Sequence, residues 1–203
     1  MFDRAVLKLT KPAVDRCASE GLRLGWNADQ VTLAASGLGF AAFVLILLGH
    51  ERLALLPMLF SRLADGMDGA MARITNQQTD RGAFLDIALD FVFYASIPLA
   101  FALANPAERA LPAAVLLSCF VVTGTSFLAY ATLAAKRGET STAYPSKGIY
   151  YLGGLTEGSE TITLFVLCCL WPDWFGVLAY IYAALCAITT ATRIKAGWDD
   201  FAR

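Results

Sequence analysis

Charged residues are scarce in this chain. Asp, Glu, Lys and Arg make up 16% of its 203 residues, and histidine occurs once, whereas a soluble domain carries about 25% charged residues. The five cysteines have no metal-ligand spacing, so neither a zinc site nor a disulfide framework is predicted. The first twenty residues lack a long apolar stretch, which argues against a cleavable signal peptide.

Hydrophobic residues take the place of charge, at 57% of the chain with a mean hydropathy of +0.56. A helix needs about 20 residues to cross the hydrocarbon core of a bilayer, and six segments have that length. We therefore expect an all-α integral membrane protein in one domain, with no nucleic-acid partner. The six predicted transmembrane helices cover residues 31–49, 53–74, 82–104, 110–135, 148–170 and 174–192.

The first twenty residues alternate between apolar and basic positions at helical spacing. This pattern predicts an amphipathic helix that lies on the membrane surface. The alternative is a solvated leader that anchors nothing. The apolar positions are Phe2, Ala5, Val6, Leu9, Ala13 and Cys17, and the basic positions between them are Arg4, Lys8, Lys11 and Arg16.

Basic residues are distributed unevenly across the predicted membrane. Six spans put both termini on one side, and 14 of the 16 Lys and Arg residues lie on that side. The other side holds only Arg52 and Arg109. Because cytoplasmic loops are enriched in Lys and Arg, we expect both termini to face the cytoplasm from the cell (inner or plasma) membrane.

Four aspartates, at positions 65, 68, 86 and 90, interrupt the second and third predicted spans. Asp65 and Asp68 lie about 60° apart on a helical wheel, and Asp86 and Asp90 about 40° apart. The linker at residues 75–81 is short, so we expect antiparallel neighbouring helices whose acidic faces meet at the cytoplasmic end. Carboxylates at membrane depth are costly and point to a function.

Four carboxylates in one half-buried pocket repel each other unless cations neutralise them. Hard oxygen ligands suit Mg²⁺, Mn²⁺ or Ca²⁺, and two such ions can clamp a phosphate or pyrophosphate. The alternative is a set of ion pairs with Arg62, Arg73 and Arg81. We disfavour it, because three arginines do not neutralise four acids on converging faces.

The residues between the acids complete a recognisable pattern. Asp65-x-x-Asp68-Gly69-x-x-Ala72-Arg73 is followed, after eight residues, by Gly82-x-x-x-Asp86-x-x-x-Asp90. All eight positions match the signature of the CDP-alcohol phosphotransferases, which this chain resembles. The distal half resembles a bacterial branch of uncharacterised members. The segment that enters the first predicted span departs from the family. Trp26 replaces a proline, and Thr32 lies slightly further along the chain than the corresponding threonine of the family.

The resemblance implies an enzyme of phospholipid biosynthesis that works as a homodimer. It would transfer a phosphatidyl group from CDP-diacylglycerol to the hydroxyl of a small polar alcohol and release CMP. It implies two Mg²⁺ or Mn²⁺ ions bound by Asp65, Asp68 and Asp86, with Asp90 near them and also acting as general base. The cytidine and pyrophosphate pocket would comprise Asp65, Asp68, Gly69, Ala72, Arg73, Gly82 and Asp86.

Two further acids, Glu157 and Glu160, lie three residues apart in the fifth predicted span. Close helix packing through Gly154-x-x-x-Gly158 is an alternative that explains the glycines but not the acids. We expect both glutamates, with Lys147 and Arg193, to border the acceptor pocket. They favour a neutral polyol or an amino alcohol over a phosphorylated one. The polar loop at residues 136–147 either gates the site or only connects two helices.

Two other functions use buried acids in a membrane. An intramembrane prenyltransferase also clamps pyrophosphate through aspartates and Mg²⁺, but it usually has two separate Asp-rich motifs and more spans. An ion- or proton-coupled transporter more often shows an internal repeat or broken helices in both halves. This chain has one bipartite motif, six predicted spans and unlike halves, so both functions are less favoured.

Overall fold

The computed structural model describes residues 3–138 and 154–202. Within these ranges the chain is helical and contains no strand. A short 3-10 turn, Pro172–Trp174, precedes the last helix. The helices are α1 (Asp3–Arg23), α2 (Ala28–Leu47), α3 (Glu51–Ile74), α4 (Asp80–Ala104), α5 (Pro106–Lys136), α6 (Gly158–Leu170) and α7 (Phe175–Phe201).

Four of the described helices are long and apolar enough to cross a membrane, namely α2, α4, α5 and α7 with its preceding turn. Helix α3 has 24 residues, but six of them are charged, and α6 is apolar but has only 13 residues. The predicted all-helical class is therefore confirmed. The count of six transmembrane helices and the position of α1 on the membrane surface stay predictions.

The fifth predicted span is wrong at its start. Helix α6 begins at Gly158, and Glu157 before it has an extended backbone with φ −110° and ψ −172°. Glycine disfavours a helix interior by about 1 kcal/mol, and the Gly154 N–H donates to Glu157 Oε1 at 2.8 Å instead of to a helical carbonyl. Glu157 and Glu160 therefore do not share a helix face, and Gly154 and Gly158 do not form a helical packing motif.

Helix α1 packs along α3 through its later turns. Ala18 has no exposed surface, and Val14 and Leu22 pack in the same cluster as Ala70 and Met71 of α3. The exposed face of α1 includes Leu9, which is 82% exposed. A helix is thus present where the sequence predicts one, and its packing places it beside the acid-bearing part of α3.

A tight turn connects α3 to α4. Asn76 has a positive φ of 54°, a conformation that asparagine tolerates better than most residues. The Gln77 N–H then donates to the Ala72 carbonyl at 2.9 Å and closes the end of α3. Thr79 caps α4 by accepting a hydrogen bond from the Gly82 N–H at 3.1 Å. This turn brings the two acidic helices to the same end of the fold.

Helix α2 separates α3 from α4 over much of their length. It packs extensively against both, whereas α3 and α4 make no extensive backbone contact with each other. The two helices face each other through side chains such as Arg62 and Asp90, and their backbones stay apart. The reason is the small residues on α2. At Gly39, for example, an added Cβ would lie 3.1 Å from the Phe93 ring of α4 and 3.4 Å from Ser61 Oγ of α3. A gap therefore remains between the backbones of α3 and α4, and side chains span it.

Aromatic side chains fill the core on the far side of α4. Phe165 of α6 contacts the rings of Phe93, Tyr94 and Phe120 at centroid distances of 6.1 to 6.5 Å. Phe101 stacks on Phe175 at 4.6 Å. Buried aromatic pairs of this kind stabilise a fold beyond the area that they bury. They fix α4 against α6 and α7, and so they fix the position of the acids on α4.

Candidate active site between α3 and α4

The four aspartates lie around the gap between α3 and α4. Asp65 interacts electrostatically with Asp68, Asp86 and Asp90. Asp68 is only 7% exposed, whereas Asp86 is exposed and Asp65 and Asp90 lie between these extremes. The structure thus brings together the four acids that the spacing predicts to converge. A half-buried set of like charges such as this needs cations nearby.

One cation of the chain, Arg62, lies among these acids. Its Nη1 is 2.6 Å from Asp90 Oδ1 and 3.6 Å from Asp65 Oδ2. Arg81 pairs instead with Asp29 of α2 at 2.5 Å. Arg62 therefore does form ion pairs with the acidic cluster, as the alternative requires. The ion pair of Arg81 is with Asp29, which is not one of the four aspartates. One arginine still leaves the four carboxylates with a net negative charge.

Thr32 of α2 holds the most buried aspartate. Its Oγ1 lies 2.5 Å from Asp68 Oδ2 and 3.0 Å from the Ala28 carbonyl oxygen. Asn27 and Gln30 place this hydroxyl, because they form a reciprocal capping box at the start of α2. An oriented carboxylate loses less conformational entropy when it binds a ligand.

The remaining signature residues lie at the same end of α3 and α4. Gly69 faces Arg73, so that an added Cβ would come 3.3 Å from Arg73 Nη1. Arg73 and Gly82 are exposed, and Ala72 is partly buried. Small residues at Gly69, Ala72 and Gly82 leave the helix backbones open to close approach. An exposed arginine beside them is a suitable partner for a phosphate.

The donor chemistry of the cleft fits a hard divalent cation. All four candidate ligands are carboxylates, and two helices present them around one gap. Within residues 3–138 and 154–202, however, no three His, Cys, Asp or Glu side chains are already arranged to hold a metal ion. Arg62 contacts two of these carboxylates, Asp65 and Asp90. A bound cation would have to compete with that guanidinium.

The predicted acceptor residues do not all lie together. Glu157 is 6% exposed and accepts from the Gly154 N–H, and Arg193 is 6% exposed and donates from Nη1 to the Thr123 carbonyl at 3.2 Å. Both lie close to Gly154, where an added Cβ would be 3.2 Å from Arg193 Nη2. Lys147 and most of the 136–147 loop lie outside the described residues.

Glu160 lies at a separate cavity of about 380 Å³ beside α6 and α7. Its polar lining comes from Ser159, Glu160, Thr163 and Tyr182, and most of the remaining wall is leucine and isoleucine. Ser159 Oγ donates to Glu160 Oε2 at 3.1 Å. Glu160 is therefore a predicted acceptor residue that borders an open space.

The family model for CDP-alcohol phosphatidyltransferase matches residues 26–191 of this chain. The chain belongs to the CDP-alcohol phosphatidyltransferase family. It is accordingly a CDP-alcohol phosphotransferase and a multi-pass membrane protein. The matched range includes all eight signature residues and the whole of α2 to α6. Helix α1 precedes it.

Two curated relatives extend this result. The inner membrane protein YnjF of Escherichia coli (strain K12) is 47% identical over 198 residues, which cover 98% of this chain and 96% of YnjF. An uncharacterised protein of Aquifex aeolicus (strain VF5) is 34% identical over 108 residues, or 53% of this chain and 50% of that protein. Membrane location is thus common to this chain and to its YnjF relative.

Solved structures share the fold of this phosphotransferase. The phosphatidylinositol phosphate synthase PgsA1 of Mycobacterium tuberculosis, with CDP-DAG bound, matches with a TM-score of 0.73 over 91% of this chain and 93% of that chain. The same synthase in complex with manganese and citrate matches with a TM-score of 0.70 over 91% and 88%. Identity is 22% in both cases, so the likeness establishes the fold alone.

Two residues of the site lie outside the family signature. Thr32 is on α2, and Arg62 lies three residues before the first aspartate. The sequence signal for Thr32 is the capping pattern Asn27-x-x-Gln30, which fixes where α2 begins. The signal for Arg62 is a basic residue in the middle of a predicted span, one helical turn from Asp65.

Proposed function

We propose that this phosphotransferase makes a phospholipid by transferring a phosphatidyl group from CDP-diacylglycerol to the hydroxyl of a small polar alcohol, with release of CMP. The observation that carries the proposal is the set of four carboxylates around one gap, with Gly69, Ala72, Arg73 and Gly82 at the same end. Membership of the family favours this reaction over prenyl transfer and over ion-coupled transport.

In the proposed reaction the acceptor oxygen forms a bond to the phosphorus that bears diacylglycerol. The bond from that phosphorus to the oxygen of CMP breaks, and CMP leaves. An alcohol is a poor nucleophile, so a positioned base must take its proton. Asp90 is our candidate for that base. It lies at the gap, it is partly exposed, and Arg62 orients its carboxylate.

The residues proposed to hold two Mg²⁺ or Mn²⁺ ions are Asp65, Asp68 and Asp86, with Asp90 beside them. When bound, such ions would offset the negative charge that grows on the departing phosphate. The hydrogen bond from Thr32 restricts the orientation of the Asp68 carboxylate. Arg73, together with the open backbone at Gly69, Ala72 and Gly82, would contact the pyrophosphate and cytidine of the donor.

For the acceptor we propose a neutral polyol or an amino alcohol rather than a phosphorylated alcohol. The support is that Glu160 borders an open cavity, while Arg193 is buried and donates to a backbone carbonyl. Glu157, Arg193 and Lys147 complete the proposed acceptor set. A competition assay in which serine, ethanolamine, a free polyol, glycerol 3-phosphate and inositol phosphate compete for one donor tests this preference.

The proposal also includes how the protein is assembled in the membrane. It has six transmembrane helices, of which α3, α4 and the α6 segment carry acids, and α1 lies on the membrane surface. Both termini and the aspartates face the cytoplasm, because 14 of the 16 basic residues fall on that side. The working unit is a homodimer.

The direct test uses purified protein with CDP-diacylglycerol, Mn²⁺ or Mg²⁺ and a panel of alcohols. We expect CMP release that needs both the cation and an alcohol, and that chelation of the cation abolishes. CDP or CMP with the cation should also raise the unfolding temperature, because a ligand that binds only the folded state stabilises it. An unfolding temperature unchanged by cytidine nucleotides would contradict the proposal.

A further inference from the structure

We propose that Arg62 is a built-in counter-ion of the acidic cluster. It holds Asp65 and Asp90 when no divalent cation is present, and it competes with the cation for these carboxylates. Arg62 is thereby a positioning residue that sets how much cation the enzyme needs. This inference rests on the proposed function, because it concerns cation binding by the four aspartates.

The contacts of the guanidinium bridge two helices. Arg62 is on α3, and Nη1 reaches Asp90 of α4 at 2.6 Å and Asp65 of its own helix at 3.6 Å. The side chain of Arg62 is 16% exposed, that of Asp90 29% and that of Asp65 24%. Water therefore screens these charges only in part, and the attraction is stronger than that of an ion pair on the surface. The guanidinium spans the gap where α3 and α4 make no extensive backbone contact.

The surroundings of Arg62 hold its charge in this position. The guanidinium carbon lies 3.9 Å from the centroid of the Phe93 ring, a favourable cation–π distance. Nη2 lies 3.2 Å from Ser61 Oγ, and the Ser61 hydroxyl donates to the Ala35 carbonyl at 2.8 Å. Helices α2, α3 and α4 thus all contribute to the position of one cation.

The guanidinium of Arg62 does not make all the hydrogen bonds that it could donate. Among the described residues, the buried Nε atom of Arg62 has no hydrogen-bond partner. A buried donor without a partner costs free energy, so the acids hold the guanidinium by charge more than by a complete hydrogen-bond shell. A divalent cation can therefore displace the Arg62 guanidinium from the carboxylates.

Competition between the two cations has a measurable consequence. If Arg62 and a divalent cation both draw on Asp65 and Asp90, each weakens the binding of the other by the same factor. Removing the charge of Arg62 should then tighten cation binding. It should also leave the cation-free protein less stable, because four like charges would remain around the gap.

The chain offers a matched control at the other end of α3. Arg109 donates from Nη1 to Glu51 at 3.1 Å and lies over the Phe101 ring at 5.5 Å. Both side chains of that pair are about as buried as Arg62, at 12% and 14% exposed. This pair also combines an arginine, a carboxylate and an aromatic ring, but it contains none of the four aspartates.

The experiment compares wild type, Arg62→Gln, Phe93→Leu and Arg109→Gln as purified full-length proteins in lipid nanodiscs. Mn²⁺ is titrated into chelator-washed protein, and free Mn²⁺ is followed by electron paramagnetic resonance. The unfolding temperature is measured in chelator and in saturating Mn²⁺. CMP release by wild type is assayed separately, and this assay tests the proposed function on its own.

We expect Arg62→Gln to bind Mn²⁺ about tenfold more tightly than wild type. Its unfolding temperature should fall most in chelator and recover with Mn²⁺. Phe93→Leu keeps the charge but removes the ring beneath it, so we expect about threefold tighter binding. Arg109→Gln should lower the unfolding temperature equally in both conditions and leave the Mn²⁺ affinity unchanged.

Unchanged or weaker Mn²⁺ binding by Arg62→Gln, with wild type that binds Mn²⁺ and releases CMP, would overturn the inference and leave the proposed function standing. If Arg62→Gln does not fold, the Phe93→Leu titration decides, and wild-type affinity in that variant overturns the inference. Wild type that neither binds Mn²⁺ nor releases CMP would overturn the proposed function, and the inference with it.

Discussion

The hydroxyl of Thr32 lies 2.5 Å from Asp68 Oδ2 and joins the start of α2 to the middle of the acidic signature. Asp68 is the most buried of the four aspartates, at 7% exposed. Its carboxylate orientation therefore depends on a residue 36 positions earlier in the chain. The family signature contains no hint of this contact.

The first prediction concerns that hydroxyl. Thr32→Val keeps the shape of the side chain and removes the hydrogen bond, so Asp68 loses its orientation. Loss of such a supporting partner costs about 10- to 100-fold in metal affinity or activity. We expect a loss of this size in Mn²⁺ affinity, measured by titration. Thr32→Ser retains the hydroxyl and should stay near wild type, and equal affinity in the Val variant would contradict the role of Thr32.

The second prediction separates binding from proton transfer at Asp90. Asp90→Asn keeps the size of the side chain and an oxygen that can accept from Arg62, but the amide is not a base. We expect CMP release to be abolished while CDP-diacylglycerol binding, measured by ligand-induced thermal stabilisation, stays largely intact. Undiminished turnover in this variant would rule out Asp90 as the base.

The sequence predicts more of the site than of the fold around it. The spacing of Asp65, Asp68, Asp86 and Asp90 is sufficient to predict that they converge, because helical periodicity and a short linker determine which faces meet. The same reasoning fails to predict that α2 lies between α3 and α4. That arrangement depends on tertiary packing, such as Phe93 of α4 against Gly39 of α2, which no local pattern encodes.

The fifth span shows why a hydropathy window is unreliable at a helix start. Residues 148–170 are apolar enough to predict one helix, yet α6 begins at Gly158. The Glu157 carboxylate accepts from the Gly154 backbone and stabilises a turn there. A hydropathy average does not register a side chain that bonds to its own backbone, so the two glutamates are predicted to share a face that they do not share.

The third prediction tests this turn through Gly154. An added Cβ would lie 2.4 Å from Thr189 Cγ2 and 3.2 Å from Arg193 Nη2, which leaves no room for alanine. We expect Gly154→Ala to lower the free energy of unfolding by about 1–3 kcal/mol, measured by denaturation in detergent. Gly37→Ala is the matched control.

At Gly37 nothing lies within 4 Å of an added Cβ, and the residue is inside α2. Alanine there should raise stability by up to about 1 kcal/mol, because glycine disfavours a helix interior. A Gly154→Ala protein as stable as wild type would show that the contact between the 154–157 turn and α7 is looser than described above.

The fourth prediction concerns the acceptor. Glu160→Gln removes the charge at the cavity beside α6 and α7, and a hydrogen bond to a charged group contributes about 1.5–3 kcal/mol. We expect the KM for the acceptor to rise about tenfold or more, with the KM for CDP-diacylglycerol unchanged. Glu108→Gln, at an exposed carboxylate that accepts from Asn105, is the control and should change neither. An unchanged acceptor KM in Glu160→Gln would remove Glu160 from the acceptor site.

The most direct test of the central claim is CMP release from CDP-diacylglycerol by purified protein with Mn²⁺ and a panel of alcohols. If the claim holds, CMP appears only when the donor, the cation and a suitable alcohol are all present, and CMP release stops in Asp90→Asn. No CMP release with any alcohol, or equal release by wild type and Asp90→Asn, would contradict it.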